Sequence, residues 1–478
     1  MTLKARITAV DRFIKGCKED GIYDDLNAAC VMAGWDSLAG ALTPLKGAAP
    51  TNSGFIATDY DRGGIGITGD GASYLDSGRA DNADGQNDYH LAAYVTAAAS
   101  VPDVASFYAG VGTTSTSSLG RAPSGHYGRC RYDGIDVLTE GIGIFGVTRS
   151  SSDEYLTRSA GVNFLTTGAS GSPDSSNCHV FQRNHPTSKR PTDGTLAFYS
   201  IGSSLGSDPA TGLAALDARV STLMADLRAI EETGFDRDAI AYIRAVEEAD
   251  GAFLETSVKI AVNNLVSGLK ADGLWNAIGS SCLLCGPRTL AGALVPLKGD
   301  APTAYGFVDG DYDRSNGITG DGTSYLDSNR ANDADPQDSK HLATYVSSPA
   351  TGVVYFAGAG AANDTVLRRT SAAIQGRVNR NADAIASAGT QDSTGLIAVS
   401  RQSDSLTVLR VNGANESNSF APNTYVSDDI GIFATISGGS PGTASDATIS
   451  FYSTGSSLDL ATLDSHISSY VTAIGAAL

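Results

Sequence analysis

The sequence predicts a mainly β protein with flanking helices, organised as two tandem antiparallel β-sandwich domains. At 478 residues the chain exceeds the usual size of one domain, and blocks of its sequence recur at a nearly constant distance. Glycine occurs 55 times. Together with Ser, Thr, Asp and Asn it separates short runs of alternating or β-branched residues, which is typical of strands joined by tight turns.

The recurring blocks indicate an internal duplication. LAGALTPLKG at 38–47 returns as LAGALVPLKG at 290–299, and GITGDGASYLDSGR at 66–79 returns as GITGDGTSYLDSNR at 317–330. The offset stays between 251 and 253 residues in later blocks, such as FYSIGSSL and FYSTGSSL. Agreement over nearly the whole repeat indicates two copies of one domain.

The two copies set the predicted domain boundaries. We place the first helix-plus-sandwich copy at 1–230 and the second at 253–478. The segment at 231–252 has no counterpart at the C-terminal end, and we interpret it as a helical linker. Each copy begins and ends with apolar residues at helical spacing, and the strands between these helices favour an antiparallel sandwich over parallel βαβ units.

The charge of the chain argues against nucleic-acid binding. Lys and Arg total 33 against 52 Asp and Glu, and the resulting net charge of −19 repels phosphate backbones. No apolar run approaches the roughly 20 residues of a membrane-spanning helix, and the N-terminus lacks the apolar core of a signal peptide. We therefore expect synthesis in a cytoplasm, no export by that route and no membrane insertion.

The cysteines do not indicate a metal site. Cys282 and Cys285 form a lone CLLC, and no second ligand pair at zinc spacing is visible. The repeat places Cys30 at the position of Cys282, whereas Ala33 stands at the position of Cys285. We therefore interpret Cys30 and Cys282 as buried small hydrophobic residues.

Repeated aspartates form a second candidate metal site. Asp59 and Asp61 in the first copy match Asp311 and Asp313 in the second, each pair within a DYDR motif. Alternating carboxylates can bind Ca²⁺, but a calcium loop needs about six or more oxygens. The alternative is that these carboxylates cap turns. Bound calcium at these pairs is left open.

No residue pattern indicates catalysis. The GDG at 69–71 and 320–322 lacks the Lys-Ser/Thr of a phosphate loop, so we predict a tight hairpin with Gly at positive φ. His90 and His341 are equivalent, and we expect them to be packed or hydrogen-bonded on a strand. No spaced carboxylate pair and no Ser-His-Asp or Cys-His grouping is visible. The sequence therefore predicts no catalytic residue, no cofactor and no tightly bound metal.

Two equivalent Tyr-Leu pairs are predicted to lie in or beside the core. They are Tyr74 with Leu75 and Tyr325 with Leu326, within the repeated SYLD. Because successive side chains of a strand point to opposite faces, one member of each pair should point inward.

The order of motifs along each copy carries a family resemblance. A GDG turn and SYLD are followed by HLAAYV or HLATYV, and then by the strands Gly143–Arg149 and Gly395–Arg401. VNG at 411–413 and a final FYSxGSSL strand complete the order. This order resembles the concanavalin A-like, laminin-G-like jelly-roll domains of tailed-phage virion structural proteins. The resemblance implies a jelly-roll fold, whereas function does not follow from fold.

The resemblance has departures. The first copy has Ser159-Ala160-Gly161 in the region where the second has VNG, which is no clean equivalent. The metal and sugar loops of legume lectins have no match, so lectin activity is not implied.

The resemblance implies a phage virion structural protein that acts through protein–protein contact, as a surface decoration or as a head or tail appendage. Its partners would be other capsid or tail proteins, and its location the virion. The alternative is a virion-borne adhesin for host-surface glycans, with Tyr127 and Tyr132 as candidate aromatic platforms. A polysaccharide-degrading enzyme is the third hypothesis for the function. Capsid or tail location and homo-oligomerisation are left open.

One loop is the predicted partner-binding site. Arg183, Lys189 and Arg190 make the loop basic within an acidic chain, and the matching stretch of the second copy diverges. Such a loop can contact an acidic neighbour, although a solvated loop is the alternative.

Overall fold

The computed structural model consists of two compact units. The first comprises Met1–Gly234 with Gly251–Thr256, and the second comprises Phe235–Asp250 with Ser257–Leu478. The helix Arg237–Asp250, which falls in the predicted linker, therefore belongs to the second unit. The structure describes residues 3–63, 65–100, 104–113, 115–134, 137–206, 208–360, 364–380, 385–386 and 390–478.

The first unit has long helices at both ends of its strand region. The helices are α1 (Leu3–Glu19), α2 (Leu38–Ala41) and α3 (Pro209–Glu231). The strands are β1 (Leu26–Val31), β2 (Pro44–Lys46), β3 (Thr51–Ser53), β4 (Tyr60–Asp61), β5 (Gly66–Thr68), β6 (Tyr74–Ala80), β7 (Tyr89–Ala97), β8 (Ser106–Val111), β9 (Ser117–Ala122), β10 (Gly125–Arg129), β11 (Gly143–Arg149), β12 (Glu154–Ser159), β13 (Val162–Thr167), β14 (Asn177–Val180), β15 (Arg183–Asn184) and β16 (Thr195–Gly202).

Two sheets form the sandwich of the first unit. The proximal sheet has the order β13-β12-β11-β7-β16-β1-β2, with β5 beside β16 and β4 beside β5. The distal sheet has the order β10-β9-β8-β14-β6-β3, with β15 beside β8 in a short parallel pair. Alternating side chains of both sheets, such as Leu91 and Phe145 from the proximal sheet and Leu75 and Val180 from the distal sheet, fill one buried core.

The helices cover the outer face of the proximal sheet. Ala92 and Phe198 alternate with core residues, point outward and pack against α1 and α3. The rings of Phe13 and Phe198 meet edge to face, with centroids 5.9 Å apart. The outer face of the distal sheet therefore lies on the opposite side of the sandwich from these helices.

The second unit repeats this arrangement after one additional helix. Its helices are α4 (Arg237–Asp250), α5 (Thr256–Ala271, of which Thr256 groups with the first unit), α6 (Leu290–Ala293) and α7 (Leu460–Ala477). Its strands are β17 (Ile278–Leu283), β18 (Pro296–Lys298), β19 (Thr303–Tyr305), β20 (Tyr312–Asp313), β21 (Gly317–Thr319), β22 (Tyr325–Ala331), β23 (Lys340–Ser348), β24 (Val354–Ala359), β25 (Asp364–Arg369), β26 (Ile374–Arg380), β27 (Ile385–Ala386), β28 (Gly395–Arg401), β29 (Thr407–Val411), β30 (Ala414–Asn418), β31 (Asp429–Ile432), β32 (Thr435–Ser437), β33 (Ser440–Pro441) and β34 (Thr448–Gly455).

The strand orders of the two units match. In the second unit the proximal sheet is β18-β17-β34-β23-β28-β29-β30, and the distal sheet is β19-β22-β31-β24-β25-β26-β27. Helix α7 packs on β28 as α3 packs on β11. The predicted fold class, mainly β with helices flanking antiparallel sandwiches, is confirmed. None of the helices among the described residues is long and apolar enough to cross a membrane.

The GDG turn is tight, but it is not a hairpin. Gly71 has φ +74, and the Asp70 carboxylate accepts hydrogen bonds from the backbone N–H of Ala72 and Ser73 at 2.8 and 2.6 Å. The strands that it joins, β5 and β6, lie in different sheets. The predicted hairpin is therefore wrong, and the turn carries the chain from one layer of the sandwich to the other.

The first unit also contains the counterpart of the VNG turn. Asn412 and Gly413 have φ of +53 and +75 between β29 and β30, and Ala160 and Gly161 have φ of +49 and +76 between β12 and β13. Both hairpins thus place two successive residues in the left-handed region. The sequence concealed this equivalence because Ala is an unusual residue in that conformation.

The two equivalent histidines are buried and fully hydrogen-bonded. His90 Nδ1 donates to Ser203 O at 2.6 Å, and its Nε2 pairs with Ser200 Oγ at 3.1 Å. His341 makes the same contacts with Ser456 O and Ser453 Oγ, at 2.6 and 3.0 Å. The prediction of packed, hydrogen-bonded histidines is confirmed.

Candidate functional site

The outer face of the distal sheet in the first unit combines aromatic and cationic side chains. Leu75, Cys178 and Val180 point into the core, so their strand neighbours Tyr74, Asp76 and His179 point outward. Phe107, Tyr127 and Arg129 extend this row across β8 and β10. We call this surface the distal face of the first unit, and these six outward side chains define it: Tyr74, Asp76, Phe107, Tyr127, Arg129 and His179.

A stacked pair of rings forms one half of the distal face. The rings of Tyr74 and His179 lie 4.6 Å apart at an interplanar angle of 21°. Gln182 Nε2 lies 2.9 Å from His179 Nδ1, and His179 Nε2 lies 3.9 Å from Asp76 Oδ2. Burial lowers the pKa of His179, and Lys189 lowers it further against the opposing effect of Asp76. The surroundings of this imidazole thus favour its neutral form.

Aromatic rings and arginines form the other half. The rings of Phe107 and Tyr127 meet edge to face at 6.0 Å. The guanidinium of Arg183 lies 4.5 Å from the Phe107 ring centroid, and that of Arg129 lies 5.5 Å from the Tyr127 centroid. Such cation–π contacts hold both guanidinium groups against the sheet.

The predicted basic loop lies beside this face, but its three cations differ in role. Arg183 is buried, and its Nη2 donates to Ser188 O at 3.1 Å. Its backbone N–H donates to Lys189 O at 3.0 Å, which closes the loop. Lys189 and Arg190 are exposed, and Lys189 Nζ lies 6.0 Å from the Tyr74 ring centroid. Arg183 therefore positions the loop, which leaves Lys189 and Arg190 as the side chains that can reach a partner.

The cations of this region have no acidic partner. Within the part of the chain that the structure describes, no carboxylate oxygen lies within 4.0 Å of the charged nitrogens of Arg129, Arg183, Lys189 or Arg190. Burial lowers the pKa of Arg183, and repulsion from Arg129 and Arg190 adds to that effect against the opposing influences of Tyr127 and Asp133. The cluster is thus a local positive field on a chain of net charge −19.

The distal face of the second unit also has a stacked pair, which contains the repeated tyrosine but takes its second ring from β19, the counterpart of β3. Tyr325 matches Tyr74 in the repeat, and its ring stacks on Tyr305 at 4.6 Å and 10°. The Tyr305 side chain is 45% exposed. Burial, followed by repulsion from nearby carboxylates of which Asp327 is the first, raises the pKa of Asp429 on the same sheet. This face is aromatic like the first and carries Asp327 and Asp429, together with Arg368, whose guanidinium donates to Gln375 Oε1 at 3.0 and 2.6 Å.

Two sequence-derived candidates in this region need correction. Tyr127 is only 3% exposed, so it cannot serve as a platform, and Tyr132 is half-buried against Tyr155. Both residues are aromatic and lie in a divergent stretch, but side-chain burial depends on strand pairing. The rings that do reach solvent, Tyr74 and Tyr305, were missed, and so was Arg129, whose signal was the aromatic–basic alternation GHYGR.

The repeated aspartates act as turn caps. Asp59 and Asp311 accept hydrogen bonds from the backbone N–H of Ile56 and Val308, both at 2.8 Å. Asp61 accepts from Gly63 N at 2.7 Å, and Asp313 accepts from Ser315 N and Asn316 N at 3.0 and 2.8 Å. All four carboxylates thus have backbone donors as partners, which fits the turn-cap alternative.

All six cysteines are free and buried. Burial raises the pKa of the Cys282 and Cys285 thiols to about 12, so both stay protonated. The interpretation of Cys30 and Cys282 as buried small hydrophobic residues is confirmed. Metal binding needs the thiolate, which these environments disfavour.

Comparisons with known proteins return only distant structural similarity. No protein-family model and no curated protein matches the chain. Domains LG4-5 of the mouse laminin α1 chain are 10% identical over 86% of this chain and 92% of that chain, with a TM-score of 0.24. The Ruminococcus gnavus IT-sialidase CBM40 bound to α2,3-sialyllactose is 10% identical over 27% of this chain and 82% of that chain, with a TM-score of 0.22. The NanB sialidase of Streptococcus pneumoniae is 12% identical over 28% of this chain, with a TM-score of 0.23, and the match spans only 24% of the sialidase chain.

Proposed function

We propose that this protein is a glycan-binding protein that recognises its ligand through the distal faces of its two units. One observation carries the proposal: on each distal face the repeated tyrosine stacks on a second ring, Tyr74 on His179 of β14 and Tyr325 on Tyr305 of β19. Core packing explains a buried ring such as His179, but it does not explain why each unit keeps a half-exposed tyrosine, Tyr74 or Tyr325, on a face that points to solvent.

The chemistry around these rings suits a sugar. The C–H bonds of a pyranose pack on an aromatic face, while its hydroxyl groups need hydrogen-bonding partners at the rim. Asp76, which is half-buried, supplies acceptors beside Tyr74, and the buried pair of Gln182 and His179 backs that ring. Asp327, on the same strand as Tyr325, supplies acceptors in the second unit.

Binding fits the first distal face better than catalysis. Glycoside hydrolysis uses two carboxyl groups about 5–9 Å apart. Among the six side chains that define the distal face of the first unit, Asp76 carries the one carboxylate. We therefore propose a non-enzymatic role for this protein.

The biological setting that we propose is the surface of a phage virion, because the order of motifs resembles that of tailed-phage virion proteins.

Contact with a capsid or tail protein is the second candidate role, and Lys189 and Arg190, which are exposed and have no described carboxylate partner, favour it. Changing both to Ser should leave the melting temperature unchanged and reduce incorporation into particles, more at low salt, where the lost attraction is least screened. Quantitative mass spectrometry of purified particles measures incorporation. Normal incorporation with reduced adsorption to host cells would favour the glycan-binding role.

A glycan array with the full chain tests the proposed function. We expect retention of specific glycans, and we expect Tyr74→Ala and Tyr325→Ala each to weaken binding by about tenfold through loss of a stacking surface. Tyr23→Ala is the matched control, because Tyr23 is a half-exposed ring beside α1, on the other side of the sandwich. Absence of binding to any glycan, or equal loss in the control, would contradict the proposal.

A further inference from the structure

The two distal faces are built from equivalent strands but differ in their charged side chains. This difference affects which ligands each face can bind. Tyr127 lies opposite Gly120 in the β9–β10 pair, and Gln375 lies opposite Arg368 in the β25–β26 pair. Leu119 and Leu367 occupy equivalent core positions beside them. This register makes Arg129 the counterpart of Arg377 and Thr116 the counterpart of Asp364.

The equivalent arginines differ in their partners. Arg377 is held by Asp364, with Nη2 donating to Oδ2 at 2.6 Å and a second contact from Nε. Arg129 reaches only the hydroxyl of Thr116, at 3.4 Å. The second unit thus neutralises this arginine with its own carboxylate, whereas the first unit leaves the charge available.

The loop beside the distal face also differs in charge between the two units. The first unit has Arg183, Lys189 and Arg190 between 182 and 192, whereas the corresponding stretch of the second unit, 435–445, contains no charged residue. Lys189 Nζ lies 6.0 Å from the centroid of Tyr74, the proposed sugar platform. A ring stacked on Tyr74 would therefore carry its substituents within reach of a cation.

We propose that the distal face of the first unit selects anionic glycans, whose carboxylate or sulfate groups are bound by Lys189, Arg190 and Arg129. This inference rests on the proposed glycan-binding function and adds the class of ligand. Tyr74 holds the pyranose ring, and the cations bind the acidic substituents. The sequence of the second unit has no counterpart of Lys189 and Arg190 at 435–445, and its distal face carries Asp429 beside Asp327, so this face should bind such ligands less tightly.

Titration calorimetry of the full chain tests the charge requirement. Oligogalacturonate is compared with its methyl ester, which has the same sugar without the charge, and dextran sulfate is compared with dextran. We expect binding of the charged member of at least one pair, at least about tenfold tighter than of its neutral counterpart and weakening as NaCl is raised. The two pairs separate carboxylate from sulfate recognition.

Substitutions locate the site. Thr116→Asp copies the arrangement of the second unit and should weaken anionic binding by about threefold, whereas Thr116→Asn should not. Lys189→Gln with Arg190→Gln should weaken it by about tenfold. Arg12→Gln with Lys15→Gln on α1 removes the same charge from the opposite side of the first unit and is the matched control. The melting temperature of each variant is measured first. If the buried Thr116 tolerates neither substitution, the exposed Lys189 and Arg190 still test the proposed site.

The outcomes separate the inference from the proposed function. Equal affinity for oligogalacturonate and its methyl ester, with binding still lost in Tyr74→Ala, would overturn the charge selection and leave glycan binding intact. Binding of poly-glutamate, but of none of the sugars, would overturn both and identify an acidic protein as the partner. Equal weakening by the α1 control would also overturn the inference, because only net charge would then matter.

Discussion

Leu75 and Leu326 occupy equivalent positions at the centre of the two cores, and both are fully buried. Truncating either to Ala removes packing atoms and leaves a cavity, which should lower the free energy of unfolding by about 2–5 kcal/mol. Chemical denaturation followed by tryptophan fluorescence or circular dichroism measures this. An unchanged transition in Leu326→Ala would show that the strand register described here is wrong.

Buried histidines make the stability pH-dependent. Burial lowers the pKa of His90, His126 and His341 from 6.5 to about 4. The unfolded chain therefore binds protons on these rings at a higher pH than the folded chain. The stability that these neutral rings contribute is fully present above pH 6.5. It is lost as the pH is lowered toward 4, by up to about 3 kcal/mol per histidine in the free energy of unfolding.

Ring signals of ¹³C-labelled histidine, followed against pH, measure these values directly. We expect three rings, assigned with single His→Gln variants, that do not titrate above about pH 5. Midpoints near 6.5 for His90 and His341 would contradict the burial described here.

At the residue scale, sequence patterns predict which side chains point inward but not which outward side chains are covered. Alternation placed Leu75 and Leu326 in the core, and the duplication identified His90 and His341 as structural. The aromatic ring of Tyr127 and the basic loop around Arg183 predict that both side chains can reach a ligand or partner. Both are buried, because neighbouring strands and the closed loop at 182–192 cover them, and these tertiary contacts have no local signature.

At the scale of elements, the β12–β13 hairpin offers a clear test. Ala160 adopts φ +49, which costs an L-residue with a Cβ about 1 kcal/mol, whereas Asn tolerates this region better. Ala160→Asn, which copies Asn412 of the second unit, should raise the free energy of unfolding by about 0.5–1 kcal/mol. Differential scanning calorimetry measures the change, and Asn412→Ala should give the opposite sign. A destabilised Ala160→Asn would contradict the proposed equivalence of the two hairpins.

Elements were easier to predict than their pairing. The helices at 3–19 and 256–271 and most long strands follow from local periodicity. Whether the GDG turn joins two strands of one sheet or crosses between sheets depends on long-range pairing. Its local chemistry, Asp capping the following N–H groups with Gly at positive φ, is the same in both cases.

At the scale of the whole molecule, duplication has kept the sandwiches and changed their surfaces. In each unit helices pack on the outer face of the proximal sheet, and the outer face of the distal sheet lies on the opposite side of the sandwich. Among the described residues, no carboxylate pairs with the cations beside the first distal face, whereas the second distal face has Asp327 and Asp429, an Arg377 paired with Asp364, and Arg368 bound by Gln375. The sequence shows the acidic net charge and the basic loop. The strand register is needed to see that Arg377, which Asp364 neutralises, is the counterpart of Arg129, which contacts Thr116.

A crystal structure of the full chain with trigalacturonate tests the central claim most directly. We predict a sugar ring stacked on Tyr74, with a carboxylate within hydrogen-bonding distance of Lys189 or Arg190. The same crystals of Tyr74→Ala should show no ligand at this place. Ligand density at the end loops of the sandwich or against α1 and α3, with the distal face of the first unit empty, would contradict the account.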